Sequence, residues 1–382
     1  MKRSLVALFL ILTALTVLSG CKTSNAEASG SPSTGISGVT VNTSVRNTGQ
    51  YPESFVITFA EEIKVTKPDP AMFSLTGKAG YWGSDDTRDF ECTFETASVE
   101  GNTLTLVPAA FPEKYFYVRE FTVTCKDHPE YGFTSADVVK TVTPVADDFK
   151  TLSNSDGVTF DYHLFTPAQT ENMPVVIVFH GYGDTNNLLT YRTSVEWAEP
   201  DNQKVRPCYV LSPVIDDRTY FDPNGRDKVF TALKGILDDM ISKGNVDPGR
   251  IYVMGNSMGG VSTIEFSEKY PETVAAAMAL CPALSYFPDT VADLEKMKDV
   301  PVWFAHAEND NTVPVSDSRN AVSDLESLGA KEVKFTEYTD EQMNVAGADS
   351  APDSTYSYHH VELAVMEDDT YQEWLFDHRK SK

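Results

Sequence analysis

One serine stands between two glycines in the segment IYVMGNSMGGVS, residues 251–262. The apolar residues Ile251–Met254 predict a strand, and the residues after Ser257 predict a helix. Gly255 and Gly259 lack the Cβ atoms that would clash in a sharp strand-to-helix turn. Such a turn holds a serine hydroxyl above the end of a strand, where it can act as a nucleophile. The alternative interpretation is a loop of small residues without chemistry.

A serine hydroxyl is a weak nucleophile. It needs a histidine that takes its proton, a carboxylate that orients the histidine, and hydrogen-bond donors for the oxyanion. On a parallel sheet these groups meet only if each follows the carboxyl end of a strand. Asp310 follows the apolar strand VPVWFAHA, residues 300–307. We select it as the acid over two competitors, because Glu308 is too near the strand and Asp317 begins the next helix.

The base should be a histidine that follows the acid, and three histidines follow Asp310. His378 lies near the end of the last predicted helix, where we expect a solvated side chain. His359 and His360 are adjacent on a loop after the strand EVKFTEY. Because neighbouring loop residues point in different directions, only one of them can reach Ser257, and that one is the predicted base.

Donors for the oxyanion are expected from the residue after the serine and from a loop after an early strand. The segment VVIVFHGYGD, residues 175–184, supplies such a strand and loop. We assign the backbone N–H groups of Tyr182 and Met258 to the oxyanion hole. His180 precedes the serine in the chain, so we expect it to brace this loop, and His306 to support the acid loop.

The chain has two parts with different patterns of apolar and polar residues. From 37 to 145, apolar and polar residues alternate in short runs separated by Gly, Pro and Asp, and Glu100–Asn102 predicts a hairpin turn. This pattern predicts an all-β domain, and its size suggests an immunoglobulin-like sandwich. From 146 to 382, strands alternate with helices, and several strands are apolar on both faces. That pattern predicts an α/β domain with a mostly parallel sheet between helix layers.

The first residues predict export. Basic residues at positions 2 and 3 precede the apolar run Leu5–Leu18, and Leu18–Cys21 reads Leu-Ser-Gly-Cys. This is the order of a secretory signal, 1–21, and it resembles the bacterial lipobox, in which the cysteine is lipidated. The Ser- and Gly-rich residues 22–36 predict a flexible tether. We therefore expect a protein anchored by lipid on Cys21 to the outer face of a bacterial cell membrane, at the cell surface or in the periplasm.

Composition limits the partners. The 382 residues include 31 Lys and Arg against 56 Asp and Glu, so the formal net charge is −25. A surface this acidic repels DNA and RNA, and we predict no nucleic-acid partner. No metal-ligand spacing is present, and neither a metal nor an organic cofactor is predicted. Asp216, Asp217 and Asp222 share one loop, which we interpret as a solvated turn.

Four cysteines remain when Cys21 is set aside. Disulfides are permitted in an exported protein. Cys92 and Cys125 lie in strand-like segments of the same domain and could pair. For these two, and for Cys208 and Cys281, small buried thiols are the alternative.

These motifs resemble those of the α/β-hydrolase superfamily. More narrowly, they are similar to the secreted esterases related to polyhydroxybutyrate depolymerases and feruloyl esterases, a group often named predicted peptidases. The similar segments lie between residues 174 and 376 and read VVIVFHGYGD, GRIYVMGNSMGG, PVWFAHAENDNTVPV and YQEWLF. Some members, the EstA-type bacterial esterases, carry an immunoglobulin-like domain in front.

The resemblance also bears on the two adjacent histidines. In these relatives the catalytic histidine precedes the closing Trp of the last helix by about 15 positions, and Trp374 follows His359 by 15. The resemblance therefore favours His359. A second Trp usually follows the histidine by three positions, and Glu362 stands there in this chain. This departure keeps His360 as the alternative base.

The resemblance implies a serine esterase that acts through an acyl-enzyme on small-molecule or polysaccharide-linked esters, such as acetyl or feruloyl esters of plant polysaccharide. A peptidase of the same fold is one alternative, and a catalytically dormant surface-binding lipoprotein is another. The predicted β domain could bind carbohydrate, shield the site, space the enzyme from the membrane or assemble a homo-oligomer.

Overall fold

The computed structural model describes residues 35–46, 49–65, 67–80, 87–109, 117–185, 187–348 and 357–380. The predicted signal peptide, Cys21 and nearly all of the predicted tether lie outside the described residues. No helix in these ranges is both long and apolar enough to span a membrane. Two sheets organise the described residues, and we name the parts of the chain around them the β region, residues 35–142, and the α/β region, residues 143–380.

The β region is built from strands. Its eight described strands are β1 (Ile36–Arg46), β2 (Gly49–Phe59), β3 (Phe73–Gly80), β4 (Thr87–Glu100), β5 (Thr103–Pro108), β6 (Tyr117–Cys125), β7 (Phe133–Thr134) and β8 (Val138–Val142). Hydrogen bonds connect them in the order β7-β6-β3-β4-β5-β2-β1-β8, and one bridge between β2 and β6 closes five of them into a ring. A region made of strands agrees with the alternating pattern, whereas the immunoglobulin-like sandwich stays a prediction.

Alternation of apolar residues gives the β region its core. Phe55 and Ile57 of β2 and Leu106 of β5 are completely buried. Each such side chain stabilises the fold by about 1.5–3 kcal/mol relative to an exposed position. The predicted hairpin turn lies between β4 and β5, where Gly101 adopts a φ of 59° that glycine tolerates well.

The cysteines of the described residues are free and buried. Cys92 pairs with Leu75 and Cys125 pairs with Phe73, so the two cysteines lie on opposite sides of β3. Two strand spacings separate them by roughly 9–10 Å. A disulfide needs Cα atoms no more than about 7 Å apart. The pairing that the sequence left open is therefore wrong, and the buried thiol is the correct alternative.

The α/β region contains a second sheet. Its eight described strands are β9 (Lys150–Asn154), β10 (Phe160–Phe165), β11 (Met173–Phe179), β12 (Tyr209–Pro213), β13 (Val246–Asn256), β14 (Ala276–Leu280), β15 (Val302–Ala307) and β16 (Val333–Tyr338). They lie in the order β16-β15-β14-β13-β11-β12-β10-β9. Neighbours from β16 to β12 are parallel, and β10 is antiparallel to both β12 and β9. The predicted, mostly parallel sheet is confirmed.

Helices and single turns connect these strands. The helices are α1 (Arg192–Val195), α2 (Pro200–Val205), α3 (Asp217–Phe221), α4 (Pro223–Ser242), α5 (Met258–Lys269), α6 (Pro288–Asp293), α7 (Ser316–Ser327), α8 (Asp340–Val345), α9 (Glu362–Val365) and α10 (Thr370–Asp377). Short 3-10 helices cover Pro70–Met72, Pro129–Tyr131, Ser135–Asp137, Ala146–Asp148, Glu196–Ala198, Leu284–Tyr286 and Leu294–Met297. Helices alternate with strands along this region, as its sequence pattern predicts.

The longest helix, α4, shows how local sequence sets its ends. Asp222 caps it by accepting from the amide of Asn224, and Pro223 occupies the first position, where no amide is needed. Gly244 follows its end with a φ of 78°. Its apolar face, which includes Leu233 and Leu237, is buried against the sheet. The helix is therefore amphipathic, with one face toward the sheet.

The central strands are covered on both faces. All residues of β11 are buried, and alternate residues join different cores: Ile177 and Phe179 pack in one, Val176 and Val178 in the other. Burial on both faces explains why these strands are continuous apolar runs. With side chains fixed on both sides of the sheet, the ends of the strands are held firmly enough to position reactive groups.

Polar contacts join the two regions. The Gln50 amide and the Thr43 hydroxyl, both in the β region, hydrogen-bond to the hydroxyl of Thr143 at 2.8 Å. Val45 belongs to the same buried cluster as Phe149 of the α/β region.

Candidate active site

Ser257 lies on a strained turn between β13 and α5. Its φ is 56° and its ψ is −116°, a conformation that non-glycine residues rarely adopt. A Cβ on Gly255 would lie 2.5 Å from the carbonyl oxygen of Phe179, and a Cβ on Gly259 would lie 2.2 Å from the same atom. Both glycines are therefore required by close backbone approach, and the structure places Ser257 on the predicted elbow.

The surroundings of the serine are equally close-packed. A Cβ on Gly260 would lie 2.8 Å from the carbonyl oxygen of Leu280, so this glycine lets α5 approach β14. The Cβ position of Gly181 is 3.7 Å from the Cβ of Ser257. The loop that was assigned to the oxyanion hole therefore lies against the serine.

Asp310 and His359 are brought together although 49 positions separate them in the chain. His359 Nδ1 is 2.7 Å from Asp310 Oδ2. A carboxylate can only accept hydrogen bonds, so Nδ1 carries the proton and Nε2 of the neutral ring is free to accept one. The Asp310 side chain is completely buried, and His359 is 14% exposed. This is the geometry in which a carboxylate orients a general base.

His306 supports the acid. Its Nε2 lies 3.2 Å from Asp310 Oδ2 and 3.1 Å from the carbonyl oxygen of Val313, and both neighbours accept. Nε2 therefore carries the proton, and Nδ1 accepts from the Ser318 hydroxyl at 2.7 Å. Burial alone would raise the pKa of Asp310, but hydrogen bonds from His306 and His359 hold it well below its ordinary value. Asp310 is thus kept ionised.

His360 has a different carboxylate partner. Its Nδ1 is 2.9 Å from Glu362 Oε1, and its ring lies 5.5 Å from the ring of Tyr191. Glu362, which replaces the Trp of the resembling esterases, is 1% exposed. The structure therefore joins His359 to Asp310 and leaves His360 in a separate contact with Glu362. Among the two candidate bases, this geometry favours His359.

Of the two hydrogen bonds in the predicted triad, the one between serine and histidine is not formed among the described residues. The hydrogen bonds of the described residues do not include one between the Ser257 hydroxyl and His359. Two hydrogen bonds nevertheless bring their loops together. Ser257 N donates to Leu280 O at 2.9 Å, and the side chain of the next residue, Cys281, donates from Sγ to His359 O at 3.2 Å. In ligand-free enzymes such hydroxyl–imidazole contacts are often long and shorten when substrate binds.

The oxyanion loop is braced by His180. Ile215 N donates to His180 Nε2 at 2.9 Å, so Nδ1 carries the proton and donates to Gly181 O at 2.7 Å. Burial lowers the pKa of His180 to about 4, although the Gly181 carbonyl opposes that shift. His180 is therefore a neutral brace at physiological pH, as its position in the sequence suggested. Tyr182 is 58% exposed and Met258 is buried.

The acidic loop caps helices. Asp216 accepts from the amides of Arg218 and Thr219, and Asp222 caps α4. Asp217 Oδ1 accepts from Gly183 N at 3.0 Å. Asp217 therefore holds the oxyanion loop, a role that sequence reasoning missed because residues 34 positions apart share no local pattern.

The competing acids and the third histidine lie elsewhere. Asp317 Oδ2 accepts from Ser285 N at 2.7 Å, and Glu308 Oε1 accepts from Asp340 N at 3.1 Å. Both carboxylates tie loops together. His378 Nδ1 contacts Trp374 O at 2.7 Å at the end of α10. Among the three acids considered, Asp310 is the one that the hydrogen bonds of the described residues join to a histidine after β16.

Sequence comparisons show that the α/β region is similar to esterases. A family model described as phospholipase/carboxylesterase matches residues 163–348. NocK of Nocardia uniformis subsp. tsuyamanensis, a protein assigned as an esterase, is 24% identical over 178 residues, which are 44% of this chain and 49% of NocK. The bis(hydroxyethyl) terephthalate hydrolase of Streptomyces coelicolor is 30% identical over 96 residues, 25% of this chain and 30% of that enzyme. The chain thus spans half or less of the curated relatives it matches.

A solved structure matches over more of the chain. The crystal structure of a thermostable esterase is 26% identical, with a TM-score of 0.70, and the match covers 90% of this chain and 100% of that one. A match of this extent includes most of the β region as well. The sheet order, the family match and this likeness together show that the α/β region has the α/β-hydrolase fold.

Proposed function

We propose that this protein is a serine esterase that hydrolyses carboxylic esters through a covalent acyl-enzyme. The main observation in support is the 2.7 Å contact between Asp310 and His359 beside the elbow that holds Ser257 at a φ of 56°. The match to carboxylesterases over residues 163–348 gives independent support.

His359 is the general base in this proposal. Its Nε2 takes the proton of Ser257 as the hydroxyl oxygen attacks the ester carbonyl carbon. The imidazolium that forms is stabilised by the buried carboxylate of Asp310, which accepts from Nδ1. His359 then gives the proton to the leaving alcohol, and the carbonyl carbon remains bonded to Ser257 as the acyl-enzyme. Water, activated by the same imidazole, releases the acid.

The backbone N–H groups of Tyr182 and Met258 are assigned to the oxyanion. Gly181 lies against Ser257, so the loop that carries Tyr182 borders the reacting carbonyl. Met258 is the first residue of α5, and its amide is one of the unpaired donors at the start of a helix. Each such donor contributes about 2.7–4 kcal/mol to the transition state in a comparable hydrolase.

The test is hydrolysis of p-nitrophenyl acetate by purified wild type and by three variants. We expect Ser257→Ala and His359→Ala to lower kcat by at least about a thousandfold. His360→Ala is the matched control, a neighbouring histidine with its own carboxylate, and we expect it to lower kcat by less than about tenfold. Thermal melts establish that each variant is folded.

Other results would point to the alternatives. A large loss in His360→Ala with little loss in His359→Ala would exchange the roles of the two histidines. Faster turnover of peptide p-nitroanilides than of esters would favour a peptidase. If folded wild type turned over neither class, the dormant surface-binding lipoprotein would be the better account.

The substrate and the location are proposed on narrower grounds. The resemblance to feruloyl esterases and polyhydroxybutyrate depolymerases supports acetyl or feruloyl esters of plant polysaccharide as substrates. The order Leu18–Cys21 supports a lipid anchor on Cys21 at the outer face of a bacterial membrane. We expect Cys21→Ser to move the protein from the membrane fraction to the soluble fraction. A variant that stays in the membrane fraction would contradict the anchor.

A further inference from the structure

Cys281 is aimed at the candidate triad by a strained backbone. It follows β14 with a φ of 35°, in the left-handed region that non-glycine residues avoid at a cost of about 1–3 kcal/mol. Its amide donates to Ala305 O at 2.8 Å, which holds this conformation in the sheet. The side chain is completely buried, and Sγ donates to His359 O at 3.2 Å. The thiol thus lies behind the proposed base.

Three different ligand types meet at this point. Sγ of Cys281, a carboxylate oxygen of Asp310 and a ring nitrogen of His359 all lie within 4.8 Å of one another. Sulfur, imidazole nitrogen and carboxylate oxygen are the donors that Zn²⁺ takes, at about 2.0–2.3 Å each. Tetrahedral coordination places such donors about 3.5 Å apart. His359 Nδ1 and Asp310 Oδ2, now 2.7 Å apart, would separate slightly to admit a metal, and Sγ would move toward them. Ca²⁺ and Mg²⁺ require sets of oxygen ligands and do not fit.

We propose that Cys281, Asp310 and His359 form a binding site for a thiophilic divalent metal ion of the Zn²⁺ type, and that the bound ion inhibits the enzyme. Of the three ligands, His359 has the exposed side chain, at 14%. On binding, the Cys281 thiol releases its proton to solvent and Sγ bonds to the metal. The thiolate and the Asp310 carboxylate balance the two positive charges of the ion.

Inhibition follows because a metal on one nitrogen of the His359 ring moves the ring proton to the other nitrogen. The metal takes the lone pair of His359 Nδ1, and the ring proton moves from Nδ1 to Nε2. A protonated Nε2 cannot accept the proton of Ser257, so the nucleophile is not activated. The inhibition rests on the proposed esterase function, whereas metal binding by these three residues does not.

Binding is tested on the full chain by titrating metal-free protein with Cd²⁺. The ultraviolet charge-transfer absorption of a cadmium–thiolate bond reports whether a cysteine is a ligand. We expect one bound Cd²⁺ per chain in wild type and no such absorption in Cys281→Ser. Cys208→Ser is the matched control, because Cys208 is also completely buried in the α/β region and is not part of the ligand cluster found among the described residues. It should keep the absorption.

Inhibition is tested with Zn²⁺ in the p-nitrophenyl acetate assay, each variant being compared with its own metal-free rate. We expect the half-inhibitory Zn²⁺ concentration to rise at least about tenfold in Cys281→Ser and to stay unchanged in Cys208→Ser. Ca²⁺ and Mg²⁺ should not inhibit, and EDTA should restore activity. If thermal melts show Cys281→Ser to be unfolded, His359→Ala replaces it in the Cd²⁺ titration and should bind at least about tenfold more weakly.

The proposal would be overturned by wild type without the absorption, by a folded Cys281→Ser that keeps it, or by equal Zn²⁺ inhibition of wild type and Cys281→Ser. These outcomes differ from failure of the proposed function. A chain that hydrolyses no ester can still show the cadmium–thiolate absorption, and an active esterase without it would refute the metal site alone.

Discussion

Replacing Asp310 by Asn tests the proposed mechanism at one atom. Oδ1 of Asp310 accepts from the amides of Thr312 and Val313, and Oδ2 accepts from His359 and His306. An Asn side chain has one oxygen and one NH₂ group. With its oxygen on the two backbone amides, its NH₂ group would face two ring N–H groups, which also donate.

The His359 ring can relieve this conflict by moving its proton to Nε2. Nδ1 then accepts from the amide, but Nε2 can no longer take the proton of Ser257. The variant also loses the carboxylate that stabilises the imidazolium, a charged hydrogen bond worth about 1.5–3 kcal/mol. Together we expect kcat to fall by about 10³–10⁴-fold, which is about 4–5.5 kcal/mol at 1.36 kcal/mol for each factor of ten. KM should change by less than about threefold, because the substrate does not contact this carboxyl.

Two control variants separate this effect from general damage. Asp317→Asn and Glu308→Gln neutralise acids that tie nearby loops through backbone amides, and neither acid has a hydrogen bond to His359 among the described residues. Steady-state kinetics on p-nitrophenyl acetate and thermal melts are measured for all three. A fall of less than about tenfold in folded Asp310→Asn, or an equal fall in Asp317→Asn, would refute the assignment of the acid.

Three further predictions follow from local geometry. Burial, helped by nearby carboxylates, raises the pKa of Glu268 from 4.5 to about 9, so the folded protein should lose stability as pH rises between these values. Glu268→Gln should remove this pH-dependent loss of stability, which is at most about 3 kcal/mol at pH 7. The measurement is urea unfolding at several pH values. Gly259→Ala would place a Cβ 2.2 Å from a backbone oxygen and should lower the free energy of unfolding by more than about 3 kcal/mol. Gly235→Ala, with nothing within 4 Å of its Cβ, should raise it by about 0.5–1 kcal/mol in the same assay. Asp217→Ala removes the bond to Gly183 and should lower kcat up to about tenfold without lowering the melting temperature by more than a few degrees.

The candidate nucleophile and the candidate acid could be proposed from the sequence because each depends on a short stretch of chain. Ser257 is recognisable from the strand before it, the helix after it and glycines at fixed offsets. Asp310 is recognisable because a buried strand ends just before it. In an open α/β sheet such loops converge on one edge, so two local patterns suffice to predict a shared site.

The choice between the two histidines could not be made from the residues alone. His359 and His360 have the same side chain and nearly the same position in the loop. What separates them is which ring reaches Asp310, and that depends on the fold of a loop that no short pattern specifies. The spacing to Trp374 favoured His359 only through the resemblance to known esterases.

Cys281 and Asp217 could not be predicted for a similar reason. Sγ of Cys281 contacts a carbonyl 78 positions away, and Asp217 contacts an amide 34 positions away. Neither residue stands in a motif, and each type is common in loops. Only the way in which the strand ends are packed together gives these side chains a place beside the candidate site.

Glu362 explains why the two neighbouring histidines separate. A carboxylate that is 1% exposed is costly to bury unless a hydrogen-bonded or charged partner accompanies it. His360 supplies that partner at 2.9 Å and is thereby turned away from Asp310. A Trp at this position would need no such partner, and His360 would then have no carboxylate beside it. Each histidine therefore contacts its own buried carboxylate, and that division favours His359 as the proposed base for Ser257.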